Sequence, residues 1–464
     1  MVNVMGCKKS DRYLLNYPNL ESAIRPVPHC SDLPVSIFTE FLGLYDDEDG
    51  ANSEEVNDND CEYDVDFQGP SSEPSLFIQA ELNDLIRDLN LSKEFSELLA
   101  SRLKEKNLLH QGTKVTLYRY REQEFQQYFF EKNGLVFCPN VEGLLLAMGV
   151  LNYNPSDWRL FIDSSKRSLK CVLLHNGDIF GSIPIGYSVK LKEEYNNVKE
   201  ILEIINYSAH DWVICVDLKM VNFPLGQQSG FTKYPCFLCY WDSRDRNQHW
   251  IRERWPPRES LKVGDKNVIN NPLVHTNKII LPPLHIKLGL MKQFIKALYK
   301  DRYCFKYIRY YFPEISEEKK KAGIFEGSQI RKLLRDNSFK DSMNEEEKRA
   351  WQAFSKVVSN FLGNKKASNY KELVTELVDS NHALGCNISI KIHYLRDYLD
   401  RFPDNLGDMS EEQGERFHQD IKVMEQRYQG RWDTHMMADY CWCLKRDCPN
   451  EQHSRKSNKR KFLD

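Results

Sequence analysis

The chain of 464 residues has no uninterrupted apolar run of about eighteen residues, the length that a membrane-spanning helix needs. Its first residues also lack the charged-then-apolar order of a secretory leader. The thirteen cysteines are odd in number and scattered, which is unlike a disulfide framework and favours reduced thiols. We therefore expect a soluble intracellular protein without a membrane partner, built from about two to four domains.

Lysine and arginine are missing from one long stretch. Residues 26–86 contain sixteen Asp or Glu and no Lys or Arg, so this stretch carries a formal charge of −16. Because the whole chain carries −3, the remainder carries +13. The basic remainder suits contact with DNA, whereas the acidic stretch could be a solvated linker, an interaction tail or an internal mimic of DNA. We interpret residues 1–75 as an acidic, mostly disordered region.

The most informative stretch is 158–217, where short apolar runs alternate with turn signals. The pattern predicts three strands, a helix and a fourth strand, with an Asn-Gly turn between the second and third strands. This order is the opening of a ribonuclease-H-like core, so we expect an α/β fold with a ribonuclease-H-like mixed sheet. In chain order the predicted elements are Trp158–Asp163, Leu169–His175, Ile183–Val189, Leu191–Ile205 and Trp212–Asp217.

Aspartates close the first and fourth of these strands. In a ribonuclease-H-like sheet the two strands are neighbours, so Asp163 and Asp217 would project together at one end of the sheet. Paired carboxylates there could hold two Mg²⁺ or Mn²⁺ ions around a scissile phosphate. An aspartate also commonly follows a strand at a protein surface, and a third acid would have to come from elsewhere.

A Cys-x-x-Cys motif follows the second aspartate. Two thiolates at the spacing of Cys236 and Cys239 can both reach one zinc ion, although redox use or chance would give the same motif. Residues 241–255 are then dense in Arg and Trp, and Arg244 and Arg246 are candidate DNA contacts. A loop held down by stacked aromatic side chains would show the same composition.

Helical periodicity dominates from residue 284 onward and predicts a long insertion before the chain returns to the core. Its cations are mostly on one face, which makes Lys287 and Lys292 further candidate DNA contacts. The predicted helices are Leu284–Tyr299, Cys304–Tyr311, Ile330–Leu334, Asn344–Leu362 and Asn369–Leu384.

The candidate third acid lies where a closing helix begins, in the run Asp408–His418. Ser410 is a suitable N-cap for this helix, which we expect to continue to about Tyr428. Glutamates in a first helical turn are also ordinary stabilisers of the helix dipole, so the run by itself leaves their role open.

The order of these motifs resembles the DDE transposase core of Transib-type elements and of the catalytic subunit of the V(D)J recombinase. The resemblance is closer still to uncharacterised transposase-like proteins of animal genomes, and it covers roughly residues 85–442. The runs that carry it are Phe161–Lys170, Gly226–Gly230, Leu281–Leu290, Glu412–Asp420 and Ala438–Trp442.

The resemblance implies roles for individual residues. Asp163 and Asp217 would be the first two metal-binding carboxylates and Glu412 the third, with Glu415 in reserve. Cys236 and Cys239 would bind a structural zinc together with His393 and a second histidine.

The chain departs from the family pattern at the expected second histidine. Tyr398 stands at that position, and a phenol rarely binds zinc at neutral pH. The fourth ligand would then be water, Asp397 or His285, or the site would be incomplete.

The function expected from the resemblance is that of a DDE-type DNA transposase or a transposase-derived protein. Two divalent metals would serve DNA hydrolysis and strand transfer, DNA would be the partner, and a homodimer would join two element ends, without a small-molecule substrate. A catalytically silent nuclear DNA-binding protein and a ribonuclease-H-like nuclease without strand transfer are the alternatives. The basic run Arg455–Lys461 is typical of a nuclear localisation signal, so we expect the protein in the nucleus.

The expected domain organisation follows from these assignments. After the acidic region we predict a small helical and β domain, the first part of the core, the zinc and helical insertion, a closing catalytic helix and a basic disordered tail. Their respective bounds are 76–150, 151–222, 223–400, 401–445 and 446–464.

Overall fold

The computed structural model describes residues 75–164, 168–177, 179–252 and 254–448, and for Glu415 the backbone alone. The acidic N-terminal region and the basic run Arg455–Lys461 lie outside these ranges. Within the described ranges, every helix is too short or too polar to cross a lipid bilayer.

Four short helices and a hairpin precede the first core strand. Ser92 is the N-cap of α2, where its side chain accepts a hydrogen bond from the amide of Phe95. The hairpin turns at Asn133-Gly134, where both residues have positive φ as a tight two-residue turn requires. These elements are α1 (Gln79–Asp88), α2 (Lys93–Glu105), α3 (Gln123–Gln126), β1 (Phe130–Lys132), β2 (Leu135–Phe137) and α4 (Val141–Ala147).

The core is one mixed sheet of seven strands in the order β1-β2-β5-β4-β3-β6-β7. β3 pairs antiparallel with β4 and parallel with β6, while β7 adds a parallel edge next to β6. The four strands expected from residues 158–217 are all present, with nearly the expected bounds. The strands after the hairpin are β3 (Trp158–Ser164), β4 (Leu169–His175), β5 (Ile183–Ser188), β6 (Val213–Val216) and β7 (Ile279–Ile280).

Both faces of the sheet are covered by helices, which explains why its strands are apolar almost throughout. One face packs Ile162 and Val216 against α5 (Tyr195–Ile204), which is followed by the short α6 (Tyr207–His210). The other face packs Phe161 and Cys215 against α15 (Glu412–Arg427) and α16 (Thr434–Leu444).

A helical region separates β7 from α15, as the sequence predicted. Its bounds differ from the expected ones by only a few residues at most ends, and Trp351 is fully buried in its core. The helices are α7 (Pro283–Ala297), α8 (Tyr303–Tyr311), α9 (Glu317–Ala322), α10 (Gly327–Arg335), α11 (Asn337–Asp341), α12 (Glu345–Asn360), α13 (Tyr370–Ala383) and α14 (Ile390–Asp397).

α15 approaches β3 so closely that only glycine fits at the contact. A Cβ atom at Gly414 would lie 2.5 Å from ring atoms of Phe161. Beside this contact, the buried Arg159 side chain donates to the Ser410 carbonyl oxygen and to Gln413 Oε1, both at 2.9 Å. The start of α15 is therefore fixed to the middle of the sheet.

We predict that Gly414→Ala lowers the free energy of unfolding by about 1–3 kcal/mol, because the added methyl group overpacks the contact with Phe161. Urea unfolding of the purified protein measures the change. Gly327→Ala is the matched control, since a Cβ there meets nothing closer than 3.6 Å and alanine favours a helix. Equal stability of the two variants would contradict the proposed close contact.

Candidate functional site

Asp163 and Asp217 lie side by side at one end of the sheet. Ile162 and Val216 form the last registered pair of the parallel strands β3 and β6, and each aspartate is the next residue. Neighbouring strands are about 4.8 Å apart. By strand alternation both aspartates share the face of Phe161 and Cys215, which α15 covers.

Asp163 is held by a histidine that the sequence analysis did not single out. His418 Nε2, from α15, lies 3.0 Å from Asp163 Oδ2, and both side chains are about a quarter exposed. Lys170 is the partner of Asp163 across the β3–β4 ladder, and its Nζ lies 2.6 Å from His418 Nδ1. The His418 ring thus lies between the Lys170 ammonium group and this carboxylate.

Asp217 closes the turn that follows β6. Its Oδ1 accepts hydrogen bonds from the backbone amides of Lys219, at 2.5 Å, and Met220, at 2.8 Å. These bonds fix the carboxylate beside the strand end and keep it half-buried at the edge of the site.

The start of α15 supplies three glutamates in different settings. Glu411 is fully buried, its Oε1 accepts from the His285 amide at 2.8 Å, and its Oε2 has no hydrogen-bond partner among the described residues. Glu412 is partly exposed and forms an ion pair with Arg331 at 3.0 Å. Glu415 comes four residues after Glu411 and three before His418, and so shares their side of the helix.

The expectation that Ser410 is the N-cap is wrong by one residue, although its hydroxyl oxygen accepts a hydrogen bond from the Glu412 amide at 3.1 Å. The helix itself begins at Glu412, with Glu411 in the cap position. Because the helix begins at Glu412, the Glu411 side chain points into the protein and the Glu412 side chain lies beside α10. The assignment of Glu412 as third metal ligand stays a prediction.

Lys391 brings a buried positive charge to the same region. Its stem crosses α7 at Gly289, where a Cβ atom would lie 2.0 Å from Lys391 Cδ. Burial and, to a lesser extent, the charge of Lys292 lower the pKa of Lys391 to about 8, although the charges of Asp217 and Glu411 oppose that shift. Lys391 is therefore close enough to sense both carboxylates.

A second cluster is formed by Cys236, Cys239 and His393. Within the part of the chain that the structure describes, it is the one group of three or more Cys, His, Asp or Glu side chains with all ligand atoms within 4.8 Å of one another. Among the acids at the sheet end whose side chains the structure describes, no three form such a group. Cys239 Sγ lies 3.3 Å from His393 Nε2, near the ~3.6 Å that ligands of one tetrahedral zinc require.

The electrostatics of this cluster suit a metal ion. Hydrogen bonds from Cys236 and His393 lower the pKa of Cys239 to about 5 against the effect of burial, so a thiolate is favoured there. His393 Nδ1 lies 2.7 Å from Asp397 Oδ2, an arrangement that orients the ring and presents Nε2 to the sulfurs. Three donors are thus arranged around one point.

Neither Asp397 nor His285, the two side chains considered as a fourth metal ligand, points its donor atoms at the centre of this cluster. Asp397 contacts the far nitrogen of His393, and His285 contacts Glu411 instead of the cysteines. The Tyr398 ring packs edge-on against His393, with ring centroids 5.5 Å apart, so the phenol lies beside the cluster where the second histidine was expected.

Arg258 supports the Cys-x-x-Cys turn from beneath. Its Nε donates to the carbonyl oxygens of Cys236 at 3.0 Å and Cys239 at 3.2 Å, and its Nη2 donates to Asn267 at 2.7 Å. Trp241 stacks on His393 with ring centroids 5.1 Å apart. Part of the Arg- and Trp-rich loop is therefore structural, as the alternative interpretation held.

The candidate DNA contacts differ in accessibility. Arg244 and Arg246 are exposed, and Arg244 lines a cavity of about 270 Å³ together with Lys233 and Lys266. Lys292 is exposed on α7. Lys287 is half-buried, and its pKa is lowered by burial despite the nearby charge of Glu412.

The basic segment Val115–Arg121 forms no strand in the structure. It forms a 3₁₀ turn, Thr116–Arg119, because Arg121 is drawn inward to a buried ion pair with Asp439 at 2.7 Å. A partner so distant along the chain left no local signal in the sequence.

Two separate parts of the chain match protein-family models. Residues 117–274 match a domain of unknown function (DUF8703), which spans the hairpin, most of the sheet and the Cys-x-x-Cys turn. Residues 283–363 match another domain of unknown function (DUF8704), which spans α7 to α12. No curated protein matches the chain.

We predict that Tyr398→His raises zinc affinity by roughly tenfold or more, because it adds an imidazole ligand where a phenol now packs against His393. Competition with a chromophoric chelator measures the affinity. Tyr398→Phe is the control that removes the hydroxyl without adding a ligand, and Cys239→Ser should abolish binding. If the histidine and phenylalanine variants bind zinc equally, residue 398 does not face the metal.

Proposed function

We propose that the protein is a DDE-type DNA transposase, or a protein derived from one, with a ribonuclease-H-like core. The observation that carries the proposal is the placement of Asp163 and Asp217 at the ends of adjacent parallel strands, beneath a closing helix that offers three glutamates. DNA is the proposed substrate and two Mg²⁺ or Mn²⁺ ions are the proposed cofactors.

The sheet supports this fold assignment through its strand order. Counted from β3, the strands run third, second, first, fourth and fifth across the sheet, with the first three antiparallel and the rest parallel to the first. From the resemblance to DDE transposases we expect the first and fourth strands of the sheet to be neighbours, each ending in one of the two aspartates.

The residues at the sheet end fit a metal-dependent phosphodiesterase. Asp163, Asp217 and one glutamate of α15 would hold the ions, which when bound make a water molecule or a 3′-hydroxyl nucleophilic and neutralise charge on the phosphate. His418 occupies Asp163 Oδ2, so it would have to release that oxygen when an ion binds. Lys170 and Lys391 supply positive charge beside the carboxylates.

Three neighbouring glutamates are candidates for the third metal-binding carboxylate. The family resemblance favours Glu412, which would have to leave Arg331 to reach an ion. Glu415 shares its side of α15 with His418, the residue that contacts Asp163. Glu411 has a buried carboxylate oxygen without a partner among the described residues.

The proposed function also implies a DNA-binding surface, a structural zinc, a homodimer and a nuclear location. The exposed cations Arg244, Arg246 and Lys292 would contact the DNA backbone, with Lys287 nearer the acids. The Cys236, Cys239 and His393 cluster would hold a structural zinc that fixes the Arg-rich loop. A homodimer in the nucleus is the expectation that comes with the transposase resemblance.

We predict that Asp163→Asn and Asp217→Asn each reduce Mn²⁺-dependent nicking of supercoiled DNA by at least 100-fold, because each removes a carboxylate ligand. Affinity for DNA in the presence of EDTA should be retained. Asp157→Asn, an exposed aspartate just before β3 at the opposite sheet end, is the matched control. Full activity in either active-site variant would reject the assignment.

The same assay separates the catalytic proposal from a silent DNA-binding protein. If the wild-type protein binds DNA, but neither nicks it nor binds Mn²⁺ in a calorimetric titration, the silent function is the correct one. If nicking occurs, the third acid can be identified by testing Glu411→Gln, Glu412→Gln and Glu415→Gln one at a time. The third acid is the one whose substitution reduces nicking as much as Asp163→Asn does.

We predict that Arg244→Ala and Arg246→Ala each weaken DNA binding in EDTA by several-fold and reduce its salt dependence, because each removes a phosphate contact. Fluorescence anisotropy over a range of salt concentrations measures both effects. Arg102→Ala, an exposed arginine of α2, is the control and should bind as the wild type does. An unchanged salt slope in the two loop variants would exclude this loop from the interface.

A further inference from the structure

A cavity of about 610 Å³ lies in the helical region, lined by residues of α8 and of the α11–α12 junction, and none of the proposed metal-binding acids lines it. Its volume is that of a typical small-ligand pocket. The lining residues are Arg302, Tyr303, Lys306, Tyr307, Tyr310, Asp341, Ser342, Met343, Asn344 and Glu347.

One side of the cavity is a face of α8 that is rich in tyrosine. Tyr303, Tyr307 and Tyr310 recur at helical spacing, while the opposite face of the helix is buried through Cys304, Phe305 and other apolar residues. Tyr303 is 82% and Tyr310 85% exposed, which is unusual for aromatic side chains. Such rings cost little entropy to order and offer flat surfaces for stacking.

Glu347 lines the same cavity. The residue is only 2% exposed, and its Oε2 accepts the backbone N–H of Asn344 at 3.0 Å in the cap of α12. Its Oε1 is buried without a hydrogen-bond partner among the described residues. A buried acceptor of this kind is costly unless something donates to it.

Two cations complete the lining. Arg302 and Lys306 are exposed residues of the segment that carries the tyrosines. Exposed cations beside stacked aromatic rings are the combination by which proteins hold single-stranded nucleic acid, the cations at the phosphates and the rings at the bases.

We propose that this cavity binds an unpaired nucleotide whose base carries an amino group. The base would stack on Tyr303 or Tyr310, its amino group would donate to Glu347 Oε1, and its phosphate would lie against Arg302 or Lys306. A carboxylate accepts from the N4 amino group of cytosine but repels the O4 carbonyl oxygen of uracil or thymine, so the site distinguishes these bases. The inference does not require the acids at the sheet end to be catalytic.

Single-stranded DNA fits the lining better than a peptide does. An acidic peptide would meet repulsion from Asp341 and Glu347, and a basic one would meet repulsion from Arg302 and Lys306. A nucleotide places a negative phosphate and a hydrogen-bond-donating base at opposite ends, which matches both pairs of charges.

The test compares labelled oligo-dC with oligo-dU by fluorescence anisotropy, using the full chain in EDTA. The two pyrimidines differ at position 4 of the ring, where cytosine has an amino group and uracil a carbonyl oxygen. We expect the wild-type protein to prefer oligo-dC by about tenfold or more, the worth of one hydrogen bond to a charged group. Glu347→Gln should abolish that preference, because its amide presents a donor as well as an acceptor.

Tyrosine variants test the stacking. Tyr303→Ala and Tyr310→Ala should weaken binding of both oligonucleotides, with a loss of roughly tenfold for whichever ring carries the base. Tyr120→Ala, a tyrosine 60% exposed outside the cavity, should leave binding unchanged. Thermal unfolding verifies that Glu347→Gln is folded, and glutamine can still accept the Asn344 amide.

The outcomes are distinct from those of the catalytic proposal. Wild-type affinity in both tyrosine variants, or an unchanged preference for oligo-dC in Glu347→Gln, would overturn the inference. Asp163→Asn should bind both oligonucleotides as the wild type does, so loss of nicking in that variant leaves this site unaffected.

Discussion

The contact of α15 with β3 is the constraint on which the arrangement of the proposed active site depends. Gly414 permits the helix to lie directly on Phe161, and Arg159 holds the first turn from within the sheet. From this anchor the helix runs alongside β3, so that His418 reaches Asp163 at the strand end. A wider separation would withdraw His418 and every candidate third acid together.

The carboxylates at this end of the sheet are compensated by basic side chains. Carboxylates gathered at a sheet end repel one another, and here basic groups from other elements compensate them. His418 contacts Asp163 and Arg331 contacts Glu412, while Lys391 lies near enough to Asp217 and Glu411 for their charges to affect its pKa. Divalent ions would have to replace part of this compensation, which ties metal affinity to the mobility of these basic side chains.

The sequence predicted the elements whose signals are local. Apolar runs and the Asn-Gly turn at 176–177 located β3 to β6, and helical periodicity located α7, α8, α12, α13 and α15. The hairpin at Asn133-Gly134 had the same turn signal and was overlooked, while β7 is too short to leave a pattern. The phase of α15 and the inward turn of Arg121 toward Asp439 depend on distant partners, so no local pattern could reveal them.

The order of elements along the chain has a consequence for biosynthesis. The strands that carry Phe161, Val172 and Cys215 leave the ribosome well before α15, yet α15 is what shields that apolar face of the sheet. The opposite face is covered early by α5, which follows directly after β5. A nascent chain therefore carries a half-covered sheet while the helical region is translated, and the two aspartates stay without their closing helix until α15 itself has been translated.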